Sequence, residues 1–502
     1  MKRIEDIFYQ MQSFRCIDDK GCHSLLELKL AVDKLKKLFI TNQLGDKERI
    51  IYLCDNSFCV YVILFTSVIT DCILVPVSNT IPLKKLISYI TRLKAKTVII
   101  GDNSFQQEEQ QIVRDYANLL ILKKDQWIYQ PIKREIKAKC KDHIPVHLLK
   151  KDPAMILFTS GTTREPKAVI LSHSRVMSML DAVCSYMLPN KDDVFVVAKK
   201  AHHVSSWICE ILLSAYVDAT TSIRNQSLLL PRVCMEKVHE DHGTILFVNP
   251  FLLKKMINID GGDEMLKYTH SVYTSGAPLD KLLHKQANER WPNTRVYNVY
   301  GLTEAGPRVL AQGPNIPIVY GSAGVPIKGV SVYFENNSGP IKRPYKIGEL
   351  YVKTPYQSLG VWLSDKPMDG WFRTGDVGYF DDQGNYYIVG RNDDILCCNS
   401  HNVNPVAVEE VVTSFPGIET SIVLIDVDIN GVDKLITLYT TTDDKKINEN
   451  ILYQYLRAHL ESYECPNEFH RITNRFISAT GKTQRLEAKK YYQNIIKASL
   501  YK

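Results

Sequence analysis

No apolar run in this 502-residue chain is long enough to cross a bilayer. The most hydrophobic stretch, residues 58–69, gives way to Asp71 and Pro76, well short of the roughly 20 residues a membrane-spanning helix needs. It reads instead as a buried helix leading into a strand at 72–77, and stable membrane insertion is not expected. The opening residues carry Glu5 and Asp6 and have no apolar core followed by a small-residue cleavage site, so no secretory signal is expected and the chain is assigned to the cytoplasm. Twelve cysteines are scattered without CxxC spacing, only Cys397 and Cys398 being adjacent, which argues against a disulfide scaffold or zinc site and for buried thiols in a reducing compartment. A GxxxxGK[ST] loop is missing, so the kinase and P-loop ATPase readings lose their main support. There is no internal repeat and no low-complexity tract. The net charge of +7 is small against 62 basic and 55 acidic side chains, and no arginine-rich stripe with interleaved aromatics marks a nucleic-acid partner.

What is present is an ordinary globular composition, 45% hydrophobic and 23% charged. The length exceeds what one compact core serves, so a large domain with a smaller one is expected. Apolar, β-rich runs at 49–54, 72–77, 97–100, 155–159 and 244–248 alternate with helix-like segments at 82–93 and 174–186, a rhythm that predicts α/β layers with parallel sheet. Between Gln130 and Lys151, lysines cluster around Pro131 and Pro145; this could be a basic binding patch, but it reads better as a solvated connector. After Gly390 the texture changes. Asn404 and Pro405 form an N-cap and first helical residue, the helix continues over 406–414, and strands at 421–429 and 432–440 meet at Asn430-Gly431, a two-residue turn needing positive φ at both positions. The boundaries expected are 1–391 for a large N-terminal domain and 392–502 for a small α+β domain of about a hundred residues.

Four segments carry chemistry. The first follows an apolar strand: Thr159-Ser160-Gly161-Thr162-Thr163-Arg164-Glu165-Pro166-Lys167. Hydroxyls, a glycine and free backbone N–H groups can wrap a polyphosphate while Lys167 supplies point charge; a polar surface turn is the plainer alternative. The second is Asn298-Val299-Tyr300-Gly301-Leu302-Thr303-Glu304, shortly after Ser275-Gly276-Ala277-Pro278-Leu279. A Tyr face can stack on a purine, Thr can donate to a phosphate oxygen and Glu offers the hard oxygen ligands Mg²⁺ prefers, though an isolated Thr-Glu pair is usually a helix start or loop. The third runs from Gly370-Trp371-Phe372-Arg373-Thr374-Gly375-Asp376 to Gly390-Arg391. A carboxylate such as Asp376 can accept from both ribose hydroxyls, while a hairpin closed at Asp381-Asp382-Gln383-Gly384 explains the turn residues but not the 373–376 run. The fourth, Thr480-Gly481-Lys482-Thr483-Gln484-Arg485, presents a lysine on a C-terminal loop.

In this order, over roughly residues 24–487, the four segments resemble the adenylate-forming superfamily of acyl- and aryl-CoA ligases, peptide-synthetase adenylation domains and luciferases. The resemblance implies a large N-terminal domain of α/β subdomains with a smaller, mobile α+β lid, ATP and Mg²⁺ as cofactors, and CoA or phosphopantetheine as acyl acceptor. It implies that Thr159, Ser160, Gly161, Thr162, Thr163 and Lys167 hold the β- and γ-phosphates, that Gly276, Ala277, Pro278, Asn298, Tyr300 and Gly301 frame the nucleotide, and that Asp376 and Arg391 hold the ribose. Thr303 would touch the α-phosphate, Glu304 would bind Mg²⁺, and Lys482 would bridge the substrate carboxylate and the α-phosphate. The lid would turn about Asp393. His203 stands where relatives that activate α-amino acids carry an Asp for the substrate ammonium; without that carboxylate a buried ammonium would go unpaired, so an acyl or aryl acid is favoured. Some positions depart from the pattern. Arg164 and Ala168 replace glycines that many relatives carry, while Cys397 and Ser400 stand where a lysine and a glycine are usual, beside the pantetheine path. No carrier domain is evident, so a carrier protein, if one accepts the acyl group, would act in trans. The rival endings are adenylation without a thiol acceptor and a nucleotide-binding relative that has lost catalysis.

Overall fold

The computed structural model describes residues 3–55, 57–101, 105–123, 126–133, 146–159, 166–224, 230–362, 368, 370–392, 396–398, 401–427, 433–442, 447–477 and 483–497. Two mainly parallel sheets form the large lobe. One has eight strands, with Arg49–Cys54 central between Ile73–Ser78 and Thr97–Ile100, and with Pro153–Phe158 beside Ile73–Ser78. The other has nine, in which Arg295–Tyr300, Ser271–Thr274, Ile245–Val248, Val194–Val197, Thr220–Ile223 and Arg15–Asp18 run parallel in that order.

The strands are apolar throughout because both faces are covered, as parallel sheets require. Alternation sorts the side chains: Ile50, Tyr52 and Leu74 join Phe195, Val197 and Phe247 in one core shared by the two sheets, while Ile51, Leu53, Ile73 and Val75 point to a second core on the far face. Between the sheets lies helix Cys59–Ile69, buried from Val60 through Val68, which accounts for the apolar run that is too short for a bilayer. No described helix is long and apolar enough to cross a membrane. Of the ten cysteines whose side chains are described, Cys22 is exposed, Cys59 and Cys184 are half-buried, and the rest are buried.

The expected strands and helices appear with ends moved by a residue or two. Helix His173–Met187 starts at Ser172, whose hydroxyl accepts from Arg175 N. Residues 204–216 are helical but contain a π-helical segment, Trp207–Leu212, that the sequence pattern does not announce. Residues 331–391 add an antiparallel five-stranded sheet, including the expected hairpin of Phe372–Phe380 and Tyr386–Arg391. Most of the lysine-bearing connector, 134–145, lies outside the described residues.

In the small lobe Asn404 caps helix Pro405–Ser414, as expected, by accepting from Val406 N. Its Nδ2 also donates to Val389 O at 3.1 Å, in the last strand of the five-stranded sheet. Strands Ile418–Val427 and Asp433–Thr441 form the expected antiparallel pair. The first begins earlier than predicted because Gly417, at φ 94°, turns the chain directly into it. The turn residues Asn430 and Gly431 lie outside the described set. Glu468–Arg471 adds a parallel third strand. Helices Pro405–Ser414 and Glu449–His459 cover one face of this sheet and Arg485–Tyr491 the other. Across the lobes, Lys255 pairs with Glu419, which also takes Arg475 at 2.8 Å.

Candidate active site

Strands Ser271–Thr274 and Arg295–Tyr300 run side by side in register, Thr274 opposite Asn298, so the segments that leave their carboxyl ends emerge together. That edge of an open parallel sheet is where ligands are usually received. Gly276, at φ 98° with nothing within 4 Å of where a Cβ would lie, leaves its side of the turn open, beside half-buried Ala277 and exposed Pro278. Asn298 is buried and its Nδ2 donates to Ser322 O at 2.9 Å, which locks the sheet end. Gly301 is compulsory for a different reason: a Cβ there would lie 2.2 Å from Pro307 O. Its absence lets the 301–308 loop fold back on the strand end.

Tyr300 closes the edge. Its hydroxyl donates to Asp376 Oδ2, and burial followed by the Asp376 charge pushes its pKa well above the usual phenol range, so it stays a donor. Asp376 is 7% exposed, on strand Phe372–Phe380, and lies opposite Arg391 in the hairpin register. Arg391 Nη1 donates to Asp376 Oδ1 at 3.1 Å and to Thr374 O at 3.2 Å. Gly375, at φ 77°, makes room for it, since a Cβ there would lie 2.8 Å from Arg391 Nη2. Arg373 turns away to a bidentate pair with Glu349 at 2.7 and 2.6 Å. Thus Tyr300, Asp376 and Arg391, distant in sequence, meet in one polar cluster.

The phosphate-loop candidates are described only at their ends. Thr159 N donates to Lys167 O at 3.0 Å and Lys167 N to Thr159 Oγ1 at 3.2 Å, so the two residues close the neck of a loop. Ser160, Gly161, Thr162 and Thr163, with Arg164, lie outside the described residues, as do Lys482, Asp393 and Ser400. The strand after Lys167, Ala168–Ser172, pairs with Gly360–Val361, and Ser358 N just before it donates to Glu304 O at 2.8 Å. One continuous backbone frame therefore joins the loop neck to half-buried Thr303 and Glu304. His203 N-caps the helical segment that continues through the π turn, and its ring lies 4.3 Å from that of His202. Burial and then Lys200 hold the His202 pKa down at about 4, which leaves that ring neutral at pH 7.

Sequence reasoning passed over Lys199, Glu210 and Arg308. Glu210 and Arg308 are fully buried, and Lys199 Nζ lies 3.2 Å from Glu210 Oε1. A signal existed: Glu210 is the one charge in the apolar run 207–213.

The model of the family described as AMP-binding enzyme matches residues 12–362. The chain belongs to that family. Among similar proteins, this AMP-binding enzyme is 28% identical over 354 residues to a 2-succinylbenzoate–CoA ligase of Bacillus licheniformis, covering 68% of the chain and 70% of that relative. It is 24% identical over 461 residues to a fatty acid–[acyl-carrier-protein] ligase of Streptomyces coeruleorubidus, covering 88% and 86%. In fold it matches ATP-bound MatB from Rhodopseudomonas palustris with a TM-score of 0.85 at 19% identity, over 99% of this chain and all of the other. An anthranilate CoA ligase in complex with anthranoyl-AMP gives 0.84 at 16% identity, over 97% and 96%. These likenesses confirm the α/β architecture with a large N-terminal and a smaller C-terminal domain.

Proposed function

We propose that this enzyme activates a carboxylic acid, acyl or aryl rather than α-amino, as an acyl-AMP with release of pyrophosphate, and then passes the acyl group to a phosphopantetheine thiol of CoA or of a separate carrier protein. The observation that carries the reading is the meeting of Tyr300, Asp376 and Arg391 at the sheet edge beside Thr303 and Glu304. A buried carboxylate steadied by a guanidinium and a phenol suits a pair of ribose hydroxyls. The Tyr300 ring beside it offers a face for adenine.

The Thr159 to Lys167 loop is assigned the β- and γ-phosphates and Thr303 the α-phosphate. Gly276, Ala277, Pro278, Asn298 and Gly301 shape the walls. Glu304 provides the hard oxygen donors that fit Mg²⁺, and its backbone is fixed through Ser358. The ion, when bound, would supply positive charge to the phosphates. Lys482 is assigned to the gap between the acid carboxylate and the α-phosphate, where its ammonium offsets the repulsion of two anions as they close. The carboxylate oxygen then attacks the α-phosphorus and pyrophosphate leaves; an acid already ionised needs no protein base. We assign His203 to the wall of the acid pocket. We assign 1–391 and 392–502 to the two domains, with Asp393 as the hinge on which the second turns between half-reactions.

Exchange of labelled pyrophosphate into ATP, measured across aryl, short-chain and long-chain acids, tests the reading. Exchange that depends on an acid is expected. In Lys482→Ala it should fall by about three orders of magnitude while ATP binding stays near wild type; equal exchange in both proteins would refute the role given to the lysine. AMP release without any thioester when CoA is present would leave the first half-reaction and remove the second.

A further inference from the structure

Lys199 and Arg308 converge on one aromatic ring, and Glu210 joins Lys199 from a third segment. Lys199 Nζ lies 5.3 Å and Arg308 Cζ 5.8 Å from the centre of the Phe247 ring, and Lys199 pairs with Glu210. Lys199 follows the carboxyl end of strand Val194–Val197, Phe247 is near the carboxyl end of Ile245–Val248, and Glu210 is on the helical segment that His203 opens. Arg308 closes the loop that begins at Gly301 and holds Thr303 and Glu304, its Cα only 2.8 Å from where a Gly301 Cβ would lie. The cluster thus lies along the sheet edge from the residues assigned to the α-phosphate.

Its charges do not balance. Among the described residues, Glu210 is the one carboxylate facing Lys199 and Arg308. Arg308 is 2% exposed and cannot shed its proton. Nη1 donates to Pro307 O at 2.7 Å and the guanidinium neighbours the buried Tyr186 hydroxyl, but Nε and Nη2 meet no acceptor at full hydrogen-bond geometry among the described residues. Water could accept from these donors without cancelling the charge. A buried guanidinium fork met only by one neutral phenol and one carbonyl matches an oxyanion.

We infer that the far end of the acid meets Arg308, so that the substrate carries a second anionic group, a carboxylate or comparable oxyanion, and Arg308 sets that specificity. The inference rests on the acid-activating function proposed above. An acid whose reacting carboxylate sits at Thr303 extends its tail along the 301–308 loop, and Arg308 receives the second charge. Lys199 and Glu210 stay paired and hold the wall.

Acid-dependent pyrophosphate exchange with succinate, adipate and suberate, each against its length-matched monoacid butyrate, hexanoate or octanoate, reads this directly. In wild type, kcat/KM for the best diacid should exceed that for its monoacid by roughly tenfold or more, because donors built for a polar group are left unpaired by the analogue that lacks it. Arg308→Met should lose that preference and favour the monoacid, and Arg308→Lys should fall between, with the KM for ATP reporting an intact nucleotide site. A wild-type preference for monoacids at every length, or a diacid preference that persists in Arg308→Met, overturns the inference while leaving acid activation standing. Failure of every acid to support exchange would remove both. The wild-type comparison needs no variant and so stands even if Arg308→Met does not fold.

Discussion

Around Asp152, Lys47 Nζ sits 2.6 Å from Asp71 and 2.7 Å from Asp152, and Arg3 reaches Glu5, Asp71 and Asp152. Around Arg308, among the described residues, one carboxylate faces two cations, and Nε and Nη2 meet no acceptor at full hydrogen-bond geometry. Both clusters lie in the large lobe and use the same residue types. In the first, two cations are shared among three carboxylates, each of which is paired, and together they tie the N-terminal segment to the sheet; Asp71, Asp152 and His173 have ligand atoms within 4.8 Å of one another, but the Lys47 ammonium already occupies the place a metal ion would take. In the second, charge is left over. A closed network serves the fold, whereas an open one is poised for a ligand.

The contrast can be broken experimentally. Glu210→Gln should cost most, about 3 to 4 kcal/mol in urea unfolding, because Lys199 and Arg308 would be left buried together without a counter-charge. A cost near zero would mean the open cluster is as self-sufficient as the closed one. His173 comes next: burial and then Arg3 hold its pKa at about 4, against an ordinary 6.5. Between those values the unfolded chain binds a proton that the native one refuses, so about 3 kcal/mol of stability present above pH 6.5 should be lost as pH falls toward 4. His173→Gln should flatten that slope; an unchanged acid limb would place its origin elsewhere. Asp152→Asn keeps a residue tolerant of its φ of 58° and should cost only about 1 kcal/mol, since the side chain is 39% exposed and Asp71 still serves both cations. Lys237→Ala, at an exposed pair with Glu240, should change stability by under about 0.5 kcal/mol and calibrates the scale.

The residues that make the fold were readable where periodicity and caps spoke: the apolar strand runs, the capped start at Asn404, and helix Cys59–Ile69 as a buried element. The Tyr300, Asp376 and Arg391 positions were legible as motif members, but their meeting depends on a hairpin register that only the folded chain reveals. Arg308 was opaque because nothing local says that an arginine at the end of a glycine-containing loop will be fully buried; Gly301 pulls it inward through a contact seven residues away in sequence. The π turn at Trp207–Leu212 was hidden for a similar reason, since its residues have unremarkable helical periodicity.

Asn404 holds the small lobe's first long helix with its Oδ1 and the strand ending at Arg391 with its Nδ2. Torque applied to that helix must either snap a single amide-to-carbonyl link or drag along the ribbon on which Arg391 grips Asp376. On the proposed assignment, lid travel and ribose grip share one mechanical linkage, and whatever stiffens the grip resists the swing.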